Sequence, residues 1–292
     1  PVVGLLNVPS SLLAWDVIAL SSYFTLNVVI VSYVLYCSYR EKPPREALFV
    51  PLVLLSIPAA IAIHSVTAFL FNGLVARPFW NASILAPRFI ASAFCSGPAI
   101  LLILFQILQR TTRLEIKNEA IWKVAELMAY AMAINLFLLG AEVFKEMYSQ
   151  TAHRVHFYYL FWGIEEHRAL VPYAWASVAC SIVAFVLLLV PATRRHPVTL
   201  NLGCLLVYTG VYIEKGMALI IPGMTPDTLG EIYEYVPTMV EVRVGAGILA
   251  IGFLVYTMLT KIAVGILVGD LRARRVAPAM GTRMRAVAPG LG

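Results

Sequence analysis

Seven stretches of this chain are long and apolar enough to cross a bilayer, and that repetition limits the possible folds more than any motif does. They cover residues 11–37, 47–72, 83–109, 120–147, 171–192, 199–221 and 237–268. An α-helix rising 1.5 Å per residue needs about 20 residues to cross a hydrocarbon core of roughly 30 Å. The stretches lack the period-two alternation of a membrane barrel, so helices are left to satisfy the backbone inside lipid. Composition agrees: 60% of the residues are hydrophobic and 13% charged, with a mean hydropathy of +0.82. The expected fold is an all-α polytopic membrane protein. The chain starts at Pro1 and enters its first apolar stretch almost at once, so further helices are expected upstream and seven is taken as a minimum.

Charge orients the bundle. The connections "SYREKPPRE", "RTTRLEIKNEAIWK" and "TRRH" and the tail "LRARRVAPAMGTRMR" hold 14 of the 22 lysines and arginines. The alternate connections hold few, and "PGMTPDTLGEIYEYVP" carries only acidic charge. Short basic loops stay on the cytoplasmic side. The C-terminus is therefore expected inside and the acidic loop outside, in a multi-pass protein of the cell membrane. The net charge of +6 reads as membrane topology, and no nucleic-acid partner is expected. An aromatic cluster, Phe157, Tyr158, Tyr159, Phe161 and Trp162, is too short to span. It reads as an interfacial belt, or as a docking rim for an external subunit.

Polar groups inside apolar helices mark function, because a charge at mid-bilayer costs on the order of 2.5–3.5 kcal/mol and normally faces protein or a wet cavity. In "AWDVIALSSYFTLN", Tyr23 and Asn27 each fall within about 20° of Asp16 on a helical wheel, forming one polar stripe. An interfacial Asp16, near the start of its stretch, is the plainer alternative. His64 is the only histidine inside an apolar stretch. With an inward carboxylate on the preceding helix it makes a candidate proton-transfer couple. A bis-histidine haem needs two ligands at matched depth. His153, His156, His167 and His196 lie in connections, so that arrangement is not expected. Cys37, Cys95, Cys180 and Cys204 are scattered without a CxxC spacing, which argues against a cluster or zinc site and for buried small hydrophobes.

Further along, Arg88, Ser92 and Cys95 share a helix face ahead of a Gly97-Pro98 kink. Arg88 reads as a cation beside a ligand cavity or as a side chain snorkelling to the surface. Glu126 and Glu142 stand at different depths of one helix, with Asn135 on the Glu142 face and Lys145 and Glu146 beside it. Glu214 and Lys215, and Glu241 and Arg243, add charge to the last two stretches. Stations of a proton path and interhelical ion pairs are both open readings of this set.

Several of these segments together resemble the NrfD/PsrC-like membrane subunits of respiratory complexes, the polysulfide reductase membrane-subunit family. The carriers are "AWDVIALSSYF", the His64 helix with the following "RPFW", "APRFIASAFCSGPAI", "GAEVFKEMYS" and "YIEKGMALIIPGMTPDTLGEIYEYVPT". The last of these looks like the DsrP/HmcC branch of sulfite-reduction-linked complexes. The resemblance implies eight core helices in two four-helix bundles. Residues 1–72 would be the remainder of the first bundle, 73–268 the second bundle with the last helix, and 269–292 a basic cytoplasmic tail. It implies an oxidoreductase subunit with an exchangeable menaquinone and with no haem, cluster or metal of its own. Its electrons would pass between the quinone and an extracytoplasmic ferredoxin-like iron-sulfur subunit, with proton translocation as a further option. A multihaem cytochrome c, a cytochrome b and an iron-sulfur catalytic subunit would complete the assembly. Carried over by position, Asp16 and His64 are expected to handle protons, and Asp16, Tyr23, His64 and Arg88 to line the quinone site. Glu126, Glu142, Glu214, Lys215, Glu241 and Arg243 would form the proton path. A cofactor-free anchor for redox subunits and a proton-coupled transporter are the competing classes.

Overall fold

A computed structural model of the chain describes residues 10–149, 154–225, 231–232, 234 and 236–271. Residues 1–9, His153, part of the acidic loop and the basic tail lie outside the described part. Seven helices in the described part have the length and apolarity of membrane spans. They are α1 (Leu12–Tyr39), α2 (Glu46–Asn72), α3 (Leu85–Thr111), α4 (Asn118–Ser149), α6 (Val171–Leu189), the α8 segment that starts at Pro197, and α10 (Met239–Val268). Shorter elements join them: α5 (Arg154–Phe161), α7 (Pro191–Arg195) and α9 (Ile220–Met224). No β-strand occurs among the described residues.

Local chemistry sets the ends. Ser11 caps α1, its hydroxyl accepting from the Ala14 amide at 3.3 Å. Past Arg40, Pro43 and Pro44 disfavour continued helix. Thr238 and Glu241 form a reciprocal capping box at the start of α10, and Gly269, at φ 91°, supplies the left-handed turn that closes it. The sequence reads one helix over 199–221. The structure keeps the span but divides it: α8 (Pro197–Tyr212) gives way to a π-helical turn at Ile213–Met217, which leads into α9. The π turn carries the adjacent Glu214, which is buried, and Lys215, and such turns gather at functional positions.

Four spans close into a ring, with α3 against α4, α4 against α6, α6 against α8 and α8 back against α3. Cys95, Leu102, Met128, Met132, Leu188 and Val207 fill its centre and are almost wholly buried. The α1–α2 pair leans on this ring through α2 and α3, while α10 packs on α1. No residue of α10 is buried, which leaves most of its apolar surface to lipid or to another membrane element.

A second core caps one end of the ring. Phe79 and Trp80, from a single 3-10 turn at Pro78–Trp80, pack with Phe157, Tyr159, Phe161 and Leu219. Helical alternation therefore splits the aromatic cluster read from the sequence: Phe157, Tyr159 and Phe161 point inward, whereas Tyr158 and Trp162 are exposed. The Trp80 indole donates to the Leu219 carbonyl at 2.8 Å, and its ring lies where a Cβ on Gly223 would sit, at 2.0 Å. We expect Gly223→Ala to destabilise the protein by about 1–3 kcal/mol, read as a lower thermal midpoint in detergent. An unchanged midpoint would show that Trp80 is not wedged there.

Candidate functional site

The densest polar chemistry lies just beneath that cap. Arg88 sits in the first turn of α3 and is buried, with one guanidinium nitrogen donating to Glu142 on α4. The other donates to Glu214 of the π turn at 2.7 Å. The second Glu214 oxygen accepts from Asn135 Nδ2 at 3.0 Å. Lys215 Nζ stands 3.0 Å from Glu214 as an ion pair without hydrogen-bond alignment, and it lies over the Phe89 ring at 5.3 Å. Two cations thus meet two carboxylates in a neutral cluster. Only such mutual pairing makes four charges tolerable at this depth. Arg88 Nε and Asn135 Oδ1 are buried without a hydrogen-bond partner among the described residues. A cavity of about 20 Å³, lined in part by Arg88, Glu214 and Ser177, adjoins the cluster and has room for one water molecule.

Lys215 also faces outward. With His64, Phe89, Ser92, Ser96, Tyr208 and Tyr212 it lines an open groove between α2, α3 and α8. Three positions beyond His64, Thr67 donates to Asp16 Oδ1 at 2.7 Å and ties α1 to α2. Residues three apart on a helix are neighbours, which places the Asp16–Thr67 pair one turn from His64. His64 shares the groove with Lys215, and direct contacts lead from Lys215 to Glu214, Arg88 and Glu142. Asp16 and His64 are each half-buried and share no hydrogen bond.

The other expected residues are placed apart from this row. Tyr23 is half-buried on α1, its carbonyl accepting from Asn27. Glu126 belongs to the opposite end of α4, where it meets Lys123, Tyr130 and Arg194 at 3.2, 2.7 and 3.6 Å. Sixteen residues separate it from Glu142, about 24 Å of helix, and Met128 and Met132 lie buried between them. Glu241 works in the capping box, and Arg243 is exposed on α10. Glu146 is buried beside the Lys145 ammonium at 3.1 Å. Above the cluster, His156 Nδ1 lies 2.7 Å from the Pro222 carbonyl and fastens the cap. Burial pushes the neighbouring Tyr159 phenol up from its ordinary pKa, and the charge of Glu234 adds to the effect. Among the described residues no group of three His, Cys, Asp or Glu could hold a metal ion.

Sequence reasoning did not find Thr67 as the Asp16 partner, nor the Asn135–Glu214 bond, nor the reciprocal Gln106–Asn201 pair that joins α3 to α8 at 3.0 and 2.9 Å. Each is a contact across helices, and no periodicity within one helix announces it.

Seven apolar helices around buried, paired charges define an integral membrane protein. The chain belongs to the family described as "Polysulphide reductase, NrfD", whose pattern matches residues 2–226. It is 29% identical over 223 residues to a Halobacterium salinarum protein named as a dimethyl sulfoxide reductase membrane subunit, with 68% of this chain and 50% of that protein covered. It is 23% identical to a selenate reductase subunit of Mesobacillus selenatarsenatis, with 70% and 49% covered. It is also 23% identical to the "Hdr-like menaquinol oxidoreductase integral membrane subunit" of Archaeoglobus fulgidus, with 87% and 65% covered. The chain thus spans about half to two thirds of the length of these relatives.

Removing one member of a buried ion cluster leaves the others uncompensated, at a cost of about 3–5 kcal/mol. Arg88→Met is expected to destabilise by that order. Adding Glu142→Gln in the Arg88→Met background, which leaves Glu214 paired with Lys215, should recover part of it. Thermal unfolding of the detergent-purified variants checks both, and a stable Arg88→Met protein would contradict the pairing.

Proposed function

We propose that this chain is the quinone-interacting membrane subunit of a multi-subunit oxidoreductase, exchanging electrons between menaquinol or menaquinone and an extracytoplasmic iron-sulfur subunit. The observation that carries the reading is the row of polar groups reaching from Asp16 at the α1–α2 contact, past the lipid-open groove of His64 and Lys215, to the buried Glu214–Arg88–Glu142 cluster. Membership of the NrfD family and the likeness to a menaquinol oxidoreductase membrane subunit support it. Branch-level features, namely a DsrP/HmcC-type assembly with cytochrome partners and a role in sulfur metabolism, rest on the motif resemblance alone.

The donor set fits a quinone head group. A quinone presents two carbonyl acceptors on a flat apolar ring, and the groove pairs apolar walls at Phe89 and Val211 with polar groups at His64, Tyr208, Tyr212 and Lys215. Menaquinol oxidation delivers two electrons and two protons when that group is bound. In this reading Asp16 accepts a proton, Thr67 orients its carboxylate, His64 hydrogen-bonds the head group or relays a proton, and Tyr23 extends the polar face of α1. Arg88 serves the carboxylate cluster, and Lys215 couples that cluster to the groove. Proton handling is assigned to this level. The interval towards Glu126 is filled by Met128 and Met132, so passage across the whole membrane would require water to enter an apolar core.

The test is quinol oxidation by the assembled complex. Asp16→Asn removes the proton acceptor while keeping the shape, and general-base contributions are typically about 10²–10⁴-fold. A fall in kcat of at least about 100-fold is expected, while Glu126→Gln should stay near wild type. Wild-type rates for Asp16→Asn would overturn the assignment.

A further inference from the structure

At the opposite end of the ring, where α3 finishes and α4 and α8 begin, a cleft of about 200 Å³ is lined by Gln106, Gln109, Arg110, Asn118, Trp122 and Arg195, among others. We propose that this cleft binds a phosphate group, the head group of an anionic phospholipid or a free phosphate ion, at the basic face of the protein. Four independent features converge on it.

Arg110 and Arg195 both line the cleft and neither has an ion-pair partner among the described residues. Arg194, next in the chain, is by contrast taken up by Glu126 and by the Leu188 and Leu189 carbonyls. Two unpaired guanidiniums on one concavity create a local excess of positive charge, and guanidinium geometry suits bidentate phosphate binding.

The first turns of two substantial helices open on the same space. Asn118 and Ile121 come from α4, of 32 residues, and Pro197 and Leu200 from α8, of 16 residues. Both helix starts carry the positive end of the helix dipole. The Ile121 and Leu200 amides are taken by the Lys117 and His196 carbonyls and Pro197 has none, so it is the dipoles that add positive potential to the cleft. The Asn118 carboxamide oxygen is occupied by Gln109 Nε2 at 3.2 Å, which leaves its amide nitrogen as a donor without a partner among the described residues.

The floor is polar and fixed. Gln106, buried, exchanges hydrogen bonds with Asn201, and Gln109 also donates to the Ile116 carbonyl. Trp122 forms an aromatic wall with the Arg195 guanidinium 5.4 Å from its ring centre. A tryptophan beside an arginine at the ends of membrane helices sits at head-group depth, and basic pockets between helix ends on that side take anionic lipid head groups. Among the described residues no acidic one lines the cleft, and Glu115 and Glu119, close to its lining residues in sequence, are exposed.

The test uses the full-length detergent-purified protein and native mass spectrometry, titrated with phosphatidylglycerol, phosphatidylcholine or inorganic phosphate. Phosphatidylglycerol should bind more tightly than phosphatidylcholine. Arg110→Gln with Arg195→Gln should weaken phosphatidylglycerol by at least about tenfold, while the control Arg113→Gln with Lys117→Gln, basic positions that do not line the cleft, should retain it. All four side chains are exposed, and thermal midpoints verify that both variants fold. Displacement of phosphatidylglycerol by inorganic phosphate would identify the phosphate alone as sufficient, and its failure would identify the lipid as the ligand. Equal loss in both variants, or loss in neither, would overturn the site.

Discussion

The contacts of Arg88 hold this structure to one arrangement. A single guanidinium draws α3, α4 and the π turn together through Glu142 and Glu214, and in a low-dielectric interior none of the three groups can leave without exposing the others uncompensated. Small residues at Ala91, Ala99 and Ala129 are buried along the same helices, which lets the backbones approach closely. Helix packing in lipid has no hydrophobic drive of its own, so directional polar contacts and close small-residue packing set the register. The π turn follows from this. Within it Glu214 is directed to Arg88 and Lys215 to the groove.

Function is proposed to arise at the edge of that cluster. Lys215 belongs to two environments, the buried ion pairs behind it and the open groove in front. A change of charge or proton position in the groove would therefore be felt by Glu214 and Arg88 through direct contacts, without any large movement of helices. The opposite face has a different character. There, basic side chains and helix starts gather around a cleft instead of a buried pair, and Glu126 is absorbed into a partly exposed group with Lys123 and Arg194. Glu126 and Glu142 share one helix yet stand in unlike surroundings.

Spans were legible in the sequence because the length of an apolar run decides them: residues 83–109 correspond to Leu85–Thr111, and 47–72 to Glu46–Asn72. The charged residues were legible as anomalies, since each is costly in lipid, but their partners were not. Arg88 finds its carboxylates 54 and 126 positions away, and nothing in one chain's periodicity specifies such a pairing. Glu241 teaches the reverse. Thr238 and Glu241 are spaced as a capping box, a local signal that outweighs a reading based on charge inside an apolar run. Asn135 was placed correctly on the Glu142 face, yet its bond goes to Glu214, because the π turn brings a third element to that face.

The most direct test of the central claim is photolabelling. An azido-naphthoquinone carried on a short isoprenoid tail would be activated on the complex in native membranes, and labelled peptides would be mapped by mass spectrometry. The account predicts labels on the α1 peptide around Asp16 and on the groove peptides around His64 and Tyr212, suppressed by excess menaquinone. Labels confined to α6 or α10, or unaffected by menaquinone, would contradict it.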